Sequence, residues 1–363
     1  MSHVMSSTDF HPRARELLHW YDAHARKLPW RTGPDARKAG KTPDPYHVWL
    51  SEIMLQQTTV PHAAPYFEKF LKLWPRIEDL ADADINDITR EWAGLGYYAR
   101  ARNLYKCAQA VAELGGFPRT PEGLKSLPGV GPYTAAAVGS IAFEHPVAPV
   151  DGNVERVISR LLAIAGEGDA VSWKKDKDII SERVQTLVPE GRAGDFAQAM
   201  MDLGATVCSP KSPACGACPW FDACLARKEG APEAYPAKPK RKPQPVRTGH
   251  AFLLVAEGEV LLSRRPPEGL LGGMLMPYGT DWVQDNDFRA PDGGVYESLP
   301  EHEWEERGEV RHVFTHFALR LKVWRGETPE KPDGLGGEWV ALKDVMEAGL
   351  PSVGKKALKI GLV

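Results

Sequence analysis

Cysteine is scarce in this 363-residue chain, which has only five, and four of them fall within residues 208–224. Long hydrophobic runs are also missing, since none approaches the roughly 20 residues that a helix needs to cross a bilayer. The opening stretch MSHVMSSTDFHP has no apolar segment of the kind found in secretory signals. We therefore expect a cytoplasmic protein with no membrane partner. In that reducing compartment, clustered cysteines bind metal more often than they form disulfides.

An excess of positive charge is missing as well, because the formal net charge is −3. This total argues weakly against a nucleic-acid-binding protein, but the charge is unevenly distributed. Residues 208–247 carry eight basic and three acidic side chains, and YYARARNLYK (97–106) carries three basic side chains and no acidic one. The distribution of basic side chains is a better indicator of nucleic-acid binding than the sum. Any one such cluster is equally compatible with an ordinary solvated face.

The patterning changes once along the chain and predicts two domains. Residues 1–232 are mostly helical in pattern, as in RARNLYKCAQAVAEL, where apolar residues recur every three or four positions. Residues 233–248 are rich in proline and lysine and are predicted to form a linker. Residues 249–363 contain strand-like segments, including AFLLVAEGEVLLSRR, which predicts two strands around a Glu-Gly turn. The predicted fold class is an all-helical domain followed by an α+β domain.

The four clustered cysteines have the spacing C-x6-C-x2-C-x5-C, from Cys208 through Cys215 and Cys218 to Cys224. Four thiolates can bind either a tetrahedral zinc ion or a [4Fe–4S] cluster. Zinc sites usually have two C-x2-C pairs, and this sequence has one with wider outer gaps. The spacing therefore favours the iron–sulfur cluster and leaves zinc open. The fifth cysteine, Cys107, lies on the apolar stripe of its helix and is predicted to be an ordinary buried residue.

Two carboxylates stand in contrasting surroundings. Glu52 is flanked by Val48-Trp49-Leu50 and Ile53-Met54-Leu55, so it either turns to solvent or has a raised pKa. Asp151 follows an apolar stretch and precedes Gly-Asn-Val-Glu, where it is suited to capping a helix. A protonated and an ionised carboxyl group together allow the division of labour that glycosidases use.

A glycine-containing turn, Pro128-Gly129-Val130-Gly131, precedes another helical segment. Its glycines permit positive φ, and the turn is expected to leave backbone N–H groups free. Such groups at a helix N-terminus bind phosphate. A plain helix–helix turn is the alternative interpretation.

Together with the cysteine spacing, three further motifs give residues 20–225 a family resemblance. LPGVGPYTA (127–135) resembles the hairpin of a helix-hairpin-helix motif, which would extend over about 120–140. PVDGNV (149–154) is similar to the segment that carries the catalytic aspartate of the endonuclease III and MutY branch of DNA glycosylases. SEIMLQQT (51–58) resembles the signature of the adenine-specific MutY family. Residues 249–363 resemble, more weakly, the Nudix-like recognition domain of that family.

The resemblance implies an enzyme of base excision repair that removes adenine paired with 8-oxoguanine or guanine in duplex DNA. The adenine would be flipped out of the helix before its N-glycosidic bond is hydrolysed. The enzyme would be a bacterial, nucleoid-associated monomer, and Cys208, Cys215, Cys218 and Cys224 would hold one [4Fe–4S] cluster.

The resemblance also assigns roles to individual residues. Glu52 would protonate N7 of adenine and Asp151 would stabilise the oxocarbenium ion, with support from Tyr133 and Asn153. Residues implied in substrate and DNA binding fall into four groups. They are Trp30 and Arg31 in the adenine pocket, with Asp202 as a further candidate; Gln57, Thr58, Leu95 and Tyr97 beside the opposite base; Phe314, Thr315 and His316 as the triplet that recognises 8-oxoguanine; and Gly129, Val130 and Gly131 at a DNA phosphate.

The sequence departs from the family pattern in three places. The connector TGPDARKAGKT (32–42) is longer than expected, and GLLGGMLMP (269–277) lacks the usual Trp-Glu-Phe. The recognition triplet has Thr315 where serine is usual. The altered segment at 269–277 bears on the local packing of the C-terminal domain and not on the chemistry.

Three other functions are weighed against this one. An endonuclease III-like glycosylase/lyase acting on oxidised pyrimidines would need lysine where this chain has Tyr133, because tyrosine cannot form an imine. A non-catalytic DNA-binding module would not need the paired carboxylates. A Nudix hydrolase would need the G-x5-E-x7-R-E-x2-E-E-x-G box, and the sequence lacks it.

Overall fold

The computed structural model describes residues 12–166, 168–239, 243–266, 269–284, 288, 299 and 303–363. These residues form two compact units. The first comprises the described residues within Met1–Asp82 and Asn103–Arg241, and the second those within Ala83–Arg102 and Lys242–Val363. The second unit thus includes residues 83–102, which the sequence alone places in the helical domain. No helix of the described residues is long and apolar enough to cross a membrane.

Helices account for most of the chain before the linker. In chain order they are α1 (Pro12–His24), α2 (Pro34–Lys38), α3 (Pro45–Leu55), α4 (Val60–Leu73), α5 (Ile77–Ala81), α6 (Ile85–Glu91), α7 (Ala99–Glu113), α8 (Pro121–Ser126), α9 (Pro132–Phe143), α10 (Gly152–Leu162), α11 (Ala170–Gln185), α12 (Ala193–Asp202) and α13 (Leu225–Lys228). The prediction of a helical N-terminal region is confirmed. Cys107 of α7 is fully buried, as its place on the apolar stripe predicts.

Helix α3 runs through the interior of the first unit. Asp44 caps it by accepting a hydrogen bond from the Tyr46 N–H, and Pro45 supplies the fixed φ of a first helical residue. Every residue from Tyr46 to Met54 except His47 is buried. The helix ends at Leu55, and Gln57 then takes a positive φ of 60°. Glu52 therefore lies inside the protein. The residues after Leu55 leave the helical path.

Two further helices begin beside α3. The small side chains of α9 allow it to pack closely, and Gly139 and Ala137 are among its buried residues. Helix α10 buries Val154, Val157, Ile158 and Leu161 in the core that α1, α11 and α12 complete. Burying an aliphatic side chain contributes roughly 1.5–3 kcal/mol, so this apolar stripe fixes the direction of α10 and the position of its first residues.

The second unit contains a mixed six-stranded sheet. Its strands are β1 (Val246–Ala256), β2 (Glu259–Arg264), β3 (Leu275–Gly279), β4 (Glu305–Val313), β5 (Ala318–Thr328) and β6 (Glu338–Ala341), in the order β4-β5-β1-β3-β2-β6. Strands β1 and β5 are parallel and start in register at Val246 and Ala318, while the other pairs are antiparallel. The predicted Glu-Gly turn joins β1 to β2.

Helix α14 (Ser352–Gly361) covers one face of this sheet. A Cβ at Gly361 would lie 2.2 Å from Cδ1 of Leu253, so this glycine lets the helix approach β1 closely. The prediction of an α+β second domain is confirmed, although its strand HVFTHFALRLKVW is in fact two strands. They are β4 and β5, joined by a tight turn at Phe314–Phe317 in which the Phe314 N–H bonds the Phe317 carbonyl at 2.9 Å.

Candidate active site

A cavity of about 790 Å³ opens in the first unit between the end of α3 and the first residues of α9 and α10. Its volume is typical of sites for small molecules or cofactors. It brings together residues that are far apart in the sequence. Eight of the residues singled out from the sequence line it, namely Trp30, Arg31, Glu52, Gln57, Thr58, Tyr133, Asp151 and Asn153.

Glu52 is the buried acid of the cavity, with only 7% of its surface exposed. Burial raises the pKa of its carboxyl group from 4.5 to about 7, and the nearby charge of Asp151 acts in the same direction. The hydrogen bond from Tyr133 and the charge of Arg31 oppose the shift and are weaker than burial. Of the two alternatives, solvent or a raised pKa, the structure shows the second. Near neutral pH this carboxyl group can therefore both hold and release a proton.

Tyr133, the second residue of α9, bonds the Glu52 carboxyl group through its hydroxyl. Burial, and then the charges of Glu52 and Asp151, raise the pKa of this phenol well above 10. Tyr133 therefore stays neutral and acts as a hydrogen-bond donor to Glu52.

Asp151 is the second carboxylate of the cavity and caps α10, as predicted. One of its oxygens accepts hydrogen bonds from the backbone N–H groups of Asn153 at 2.9 Å and Val154 at 2.8 Å. The other accepts a bond of 3.1 Å from the side-chain amide of Asn153, which Arg156 holds from behind at 2.9 Å. These donors and the positive end of the helix stabilise a negative charge on Asp151. The cavity therefore contains a buried acid and a fixed anion.

The buried acid should make stability depend on pH. The folded protein keeps Glu52 protonated up to a pKa of about 7, whereas the unfolded chain ionises it near 4.5. The folded state therefore binds more protons across that window, and the contribution of Glu52 to stability falls as pH rises through it. Glu52→Gln removes this penalty, so its stability relative to the original protein should rise by about 3 kcal/mol between pH 4.5 and 8.

Urea unfolding across this pH range measures the effect. Glu16→Gln is the matched control, because Glu16 forms a surface pair with Arg13 in the same unit. A stability difference for Glu52→Gln that does not change with pH would contradict the buried acid.

Comparisons with known proteins agree with this arrangement. Residues 50–189 match the HhH-GPD superfamily of base excision DNA repair proteins, and residues 250–359 match a NUDIX domain. The adenine DNA glycosylase of Homo sapiens is 33% identical over 95% of this chain and 73% of that protein. That of Buchnera aphidicola subsp. Schizaphis graminum is 30% identical over 95% of this chain and 97% of that protein. The chain belongs to the adenine DNA glycosylase family.

Among solved structures, a thermostable thymine-DNA glycosylase is 30% identical with a TM-score of 0.51. The match covers 60% of this chain and 95% of that one. The chain is thus a DNA glycosylase of base excision repair with DNA as its substrate, and the cavity is its candidate active site.

Asp202 lies behind the wall of this glycosylase cavity. It is fully buried and, among the described residues, is not part of the lining. Both of its oxygens accept hydrogen bonds of 2.8 Å from Arg31, and Arg26 adds one of 2.6 Å. The sequence prediction placed Asp202 in the pocket, whereas the structure places it where it fixes the two arginines that line the pocket. Trp30, 8% exposed, does line the cavity and packs edge-on against Phe67.

Gln198 lines the glycosylase cavity and was missed in the sequence. It lies on the buried face of α12, 2% exposed, and donates a hydrogen bond of 3.2 Å to the Gly194 carbonyl. The available signal was a polar side chain at helical spacing from Asp195 and Asp202, which are also buried on α12.

The hairpin of residues 127–131 agrees only partly with its prediction. Gly129 has a positive φ of 72°, and a Cβ there would lie 2.7 Å from the Cβ of Asn103. Gly131 has an ordinary φ of −84°, so it does not adopt the positive φ that a glycine permits. The Val130 N–H is not free either, because it donates to the Leu127 carbonyl at 3.1 Å. A turn this short needs only one left-handed residue and uses one N–H to close itself.

Gly131 offers a clean test of phosphate binding. It precedes Pro132 at the N-cap of α9, and a Cβ there would meet nothing within 4 Å. Gly131→Ala should therefore leave the fold intact while its methyl group obstructs a closely bound phosphate. We expect DNA affinity to fall by about tenfold, or 1.4 kcal/mol, with little change in melting temperature.

Gly33→Ala is the matched control for that change, because Gly33 is also an N-cap residue before a proline with open space around it. Fluorescence anisotropy with labelled duplex DNA measures the affinity. Equal affinities for the two variants would count against a phosphate at the hairpin.

The recognition triplet and two of the residues predicted beside the opposite base lie in the second unit. Tyr97 is 45% exposed, has a positive φ of 50°, and its hydroxyl accepts a hydrogen bond of 2.8 Å from the Thr315 hydroxyl. His316 is exposed beside Thr315. Phe314 stacks on Trp282 at 5.5 Å, so it packs as part of the unit's apolar core. Leu95 is only 5% exposed, which favours a packing role over a protruding wedge in the free protein.

The triplet at 314–316 does not continue the single strand expected for HVFTHFALRLKVW. It forms the turn between β4 and β5, and the physical reason is the Phe314–Phe317 backbone bond that closes it.

The four clustered cysteines of the first unit line one small cavity. Burial raises the pKa of the Cys218 thiol to about 12 and also raises that of Cys224. Arg160, 2% exposed, holds the loop through the carbonyls of Ser209 and Pro210 and lies 3.4 Å from Sγ of Cys208. Within the described ranges, no three His, Cys, Asp or Glu side chains are arranged to hold a single metal ion.

Proposed function

We propose that this adenine DNA glycosylase excises adenine paired with 8-oxoguanine, or with guanine, and that it does so by hydrolysis as a monomer on duplex DNA. The observation that carries the chemistry is the pair of carboxyl groups in one cavity. Burial keeps Glu52 protonated near neutral pH, and two backbone N–H groups hold Asp151 as a fixed anion. An N-glycosidic bond breaks most easily when its base is protonated and the positive sugar is stabilised.

The proposed reaction begins with adenine flipped into the cavity beside Trp30 and Arg31. Glu52 donates its proton to N7, and adenine leaves as a neutral base. Asp151 stabilises the oxocarbenium ion that remains. The Glu52 carboxylate can then accept a proton from the attacking water, and Tyr133 holds it in place throughout.

Tyr133 also supports a monofunctional enzyme. A lyase that cuts the strand needs an amine to form an imine with the opened sugar. Tyr133 supplies a neutral hydroxyl group there, bonded to Glu52. The expected product is therefore an intact strand with an abasic site, in contrast to an endonuclease III-like lyase.

We propose that the cysteine cavity holds an iron–sulfur cluster and not a zinc ion. Zinc sites usually have two C-x2-C pairs, whereas this loop has one such pair with wider outer gaps. The thiolates of a [4Fe–4S] cluster each bind a different iron, so they surround a larger space. Cys208, Cys215, Cys218 and Cys224 would hold the cluster, and its iron would supply the positive charge that keeps these buried thiols ionised. Its role would be to shape the loop at 208–224.

Chemical analysis tests the cluster directly. We expect anaerobically purified protein to be brown, to absorb broadly near ~400 nm and to contain about four iron and four sulfide per chain. Cys215→Ser should lose the colour, whereas Cys107→Ser should keep it because Cys107 lies on α7 away from the loop. Stoichiometric zinc without sulfide would overturn the assignment.

The hydrogen bond between Tyr97 and Thr315 supports recognition of 8-oxoguanine. The two residues are 218 positions apart, and the family resemblance assigns both to the base opposite adenine. We propose that the Thr315 hydroxyl and the His316 imidazole bond O8 and N7–H, the groups that distinguish 8-oxoguanine from guanine. The methyl group that threonine has and serine lacks does not prevent this hydroxyl from reaching Tyr97.

The double variant Thr315→Val, His316→Ala tests the recognition. Single-turnover excision from A:8-oxoguanine relative to A:G should fall by roughly 5- to 150-fold, as two lost contacts of about 1–3 kcal/mol imply. Thr328→Val, at the other end of β5, is the control. An unchanged ratio of excision from A:8-oxoguanine to excision from A:G would mean that Thr315 and His316 do not recognise the lesion. Recognition would then be assigned to Gln57, Thr58, Leu95 and Tyr97.

A further inference from the structure

Gln244 makes two hydrogen bonds to the recognition turn, defined here as residues 314–317. Its side-chain Nε2 donates to the carbonyl oxygens of Phe314 at 3.1 Å and Thr315 at 2.7 Å. Both N–H bonds of one amide are thus directed to two consecutive peptide groups. The residue stands just before β1, about 70 positions from the turn in the sequence.

The chain on either side of Gln244 is stiff and attached to the same hairpin. Pro243 and Pro245 flank it and restrict its backbone. The Pro245 carbonyl accepts a hydrogen bond of 2.9 Å from the Ala318 N–H at the start of β5. The backbone of Gln244 is therefore already restricted, so little conformational entropy is lost when its side chain bonds the turn.

The two bonds constrain the direction of the Thr315 side chain. Fixing the carbonyls of residues 314 and 315 fixes the peptide planes on both sides of the Thr315 Cα, which sets where its Cβ points. In the structure the Thr315 hydroxyl then reaches the Tyr97 hydroxyl at 2.8 Å. Without Gln244, the carbonyls would turn to water and the turn could rotate.

The turn does not depend on Gln244 to exist. The backbone bond from Phe314 to Phe317 closes it, and the rings of these two residues pack 4.9 Å apart. Loss of the amide should therefore change the direction of Thr315 without unfolding the hairpin.

We propose that Gln244 is a positioning residue for lesion recognition, which holds the 314–317 turn so that Thr315 and Tyr97 meet the opposite base together. This inference rests on the proposed reading of 8-oxoguanine by Thr315. The end of the linker would thus contribute to the preference for 8-oxoguanine, a role that neither the motifs nor the comparisons assign to it.

Three variants of the full chain separate the effect of the hydrogen bonds from the effect of side-chain size. Gln244→Met keeps the length without a donor, and Gln244→Glu is isosteric but directs a carboxylate at two carbonyls. Gln244→Lys retains donors at a similar reach. Lys343→Met is the control, since Lys343 is exposed after β6, at the edge of the sheet opposite β4.

Single-turnover excision at saturating enzyme gives the first readout. We expect Gln244→Met and Gln244→Glu to lower the preference for A:8-oxoguanine over A:G by about tenfold. Gln244→Lys should restore most of it, and Lys343→Met should not change it. A preference within twofold of the original protein in both the Met and Glu variants would overturn the proposal.

Amide hydrogen exchange in the DNA-free protein gives a second readout that does not use activity. Backbone exchange at 314–317 should accelerate in Gln244→Met while β5 keeps its protection. Unchanged exchange would also overturn the proposal.

If the original protein shows no preference for 8-oxoguanine, the proposed function itself fails. If it shows the preference and both Gln244→Met and Gln244→Glu match it, only the role of Gln244 fails.

Discussion

Glu52→Gln should abolish adenine excision while DNA binding persists. Glutamine has the size of glutamate and can keep the contact with Tyr133, so the packing of α3 survives. It cannot donate a proton to N7 of adenine. General acid catalysis by a positioned group typically contributes 10²- to 10⁴-fold, and we expect the rate of the chemical step to fall by about 10³-fold or more. Single-turnover excision from an A:8-oxoguanine duplex measures that step.

Two comparisons make this result interpretable. Anisotropy with the same duplex should give an affinity within a few-fold of the original, which excludes misfolding as the cause. Glu16→Gln should excise adenine normally. If Glu52→Gln instead retains the rate within about tenfold, or 1.4 kcal/mol of barrier, Glu52 is not the general acid.

Asp151→Asn should be the second large loss, by about 10²- to 10³-fold in the excision step. Asparagine is as good a helix cap as aspartate, so the bonds from the Asn153 and Val154 N–H groups can remain. The variant therefore removes the negative charge beside the sugar and little else. The loss should appear in the rate of the chemical step at saturating enzyme.

Asp169→Asn is a close control for that substitution. Asp169 caps α11 by accepting from the Val171 and Ser172 N–H groups, the same pattern that Asp151 makes at α10. Melting temperatures of the two variants should be similar, and only Asp151→Asn should lose activity. Equal activity in both would mean that Asp151 only caps its helix.

The surroundings of the two carboxyl groups could be predicted because their causes are local in sequence. Apolar neighbours on both sides of Glu52 imply its burial, and burial is the main reason for its raised pKa. A helix that follows Asp151 implies a cap. The Glu-Gly turn between two apolar runs implies the β1–β2 hairpin.

What could not be predicted depends on contacts between distant residues. No sequence pattern joins Tyr97 to Thr315, or places residues 83–102 in the second unit. The family resemblance makes Asp202 a candidate for the adenine pocket, but only the packing shows that it faces Arg26 and Arg31 instead of the cavity. Backbone geometry at Gly131 could not be predicted because a glycine permits positive φ without requiring it.

Excision from three duplexes tests the central claim most directly, namely that the chain hydrolyses adenine away from 8-oxoguanine. The purified protein is incubated with A:8-oxoguanine, A:T and thymine glycol duplexes, and each product is analysed with and without alkali. We predict rapid loss of adenine opposite 8-oxoguanine alone, with strand cleavage only after alkali. Strand cleavage of the thymine glycol duplex without alkali, or equal excision from A:T, would contradict it.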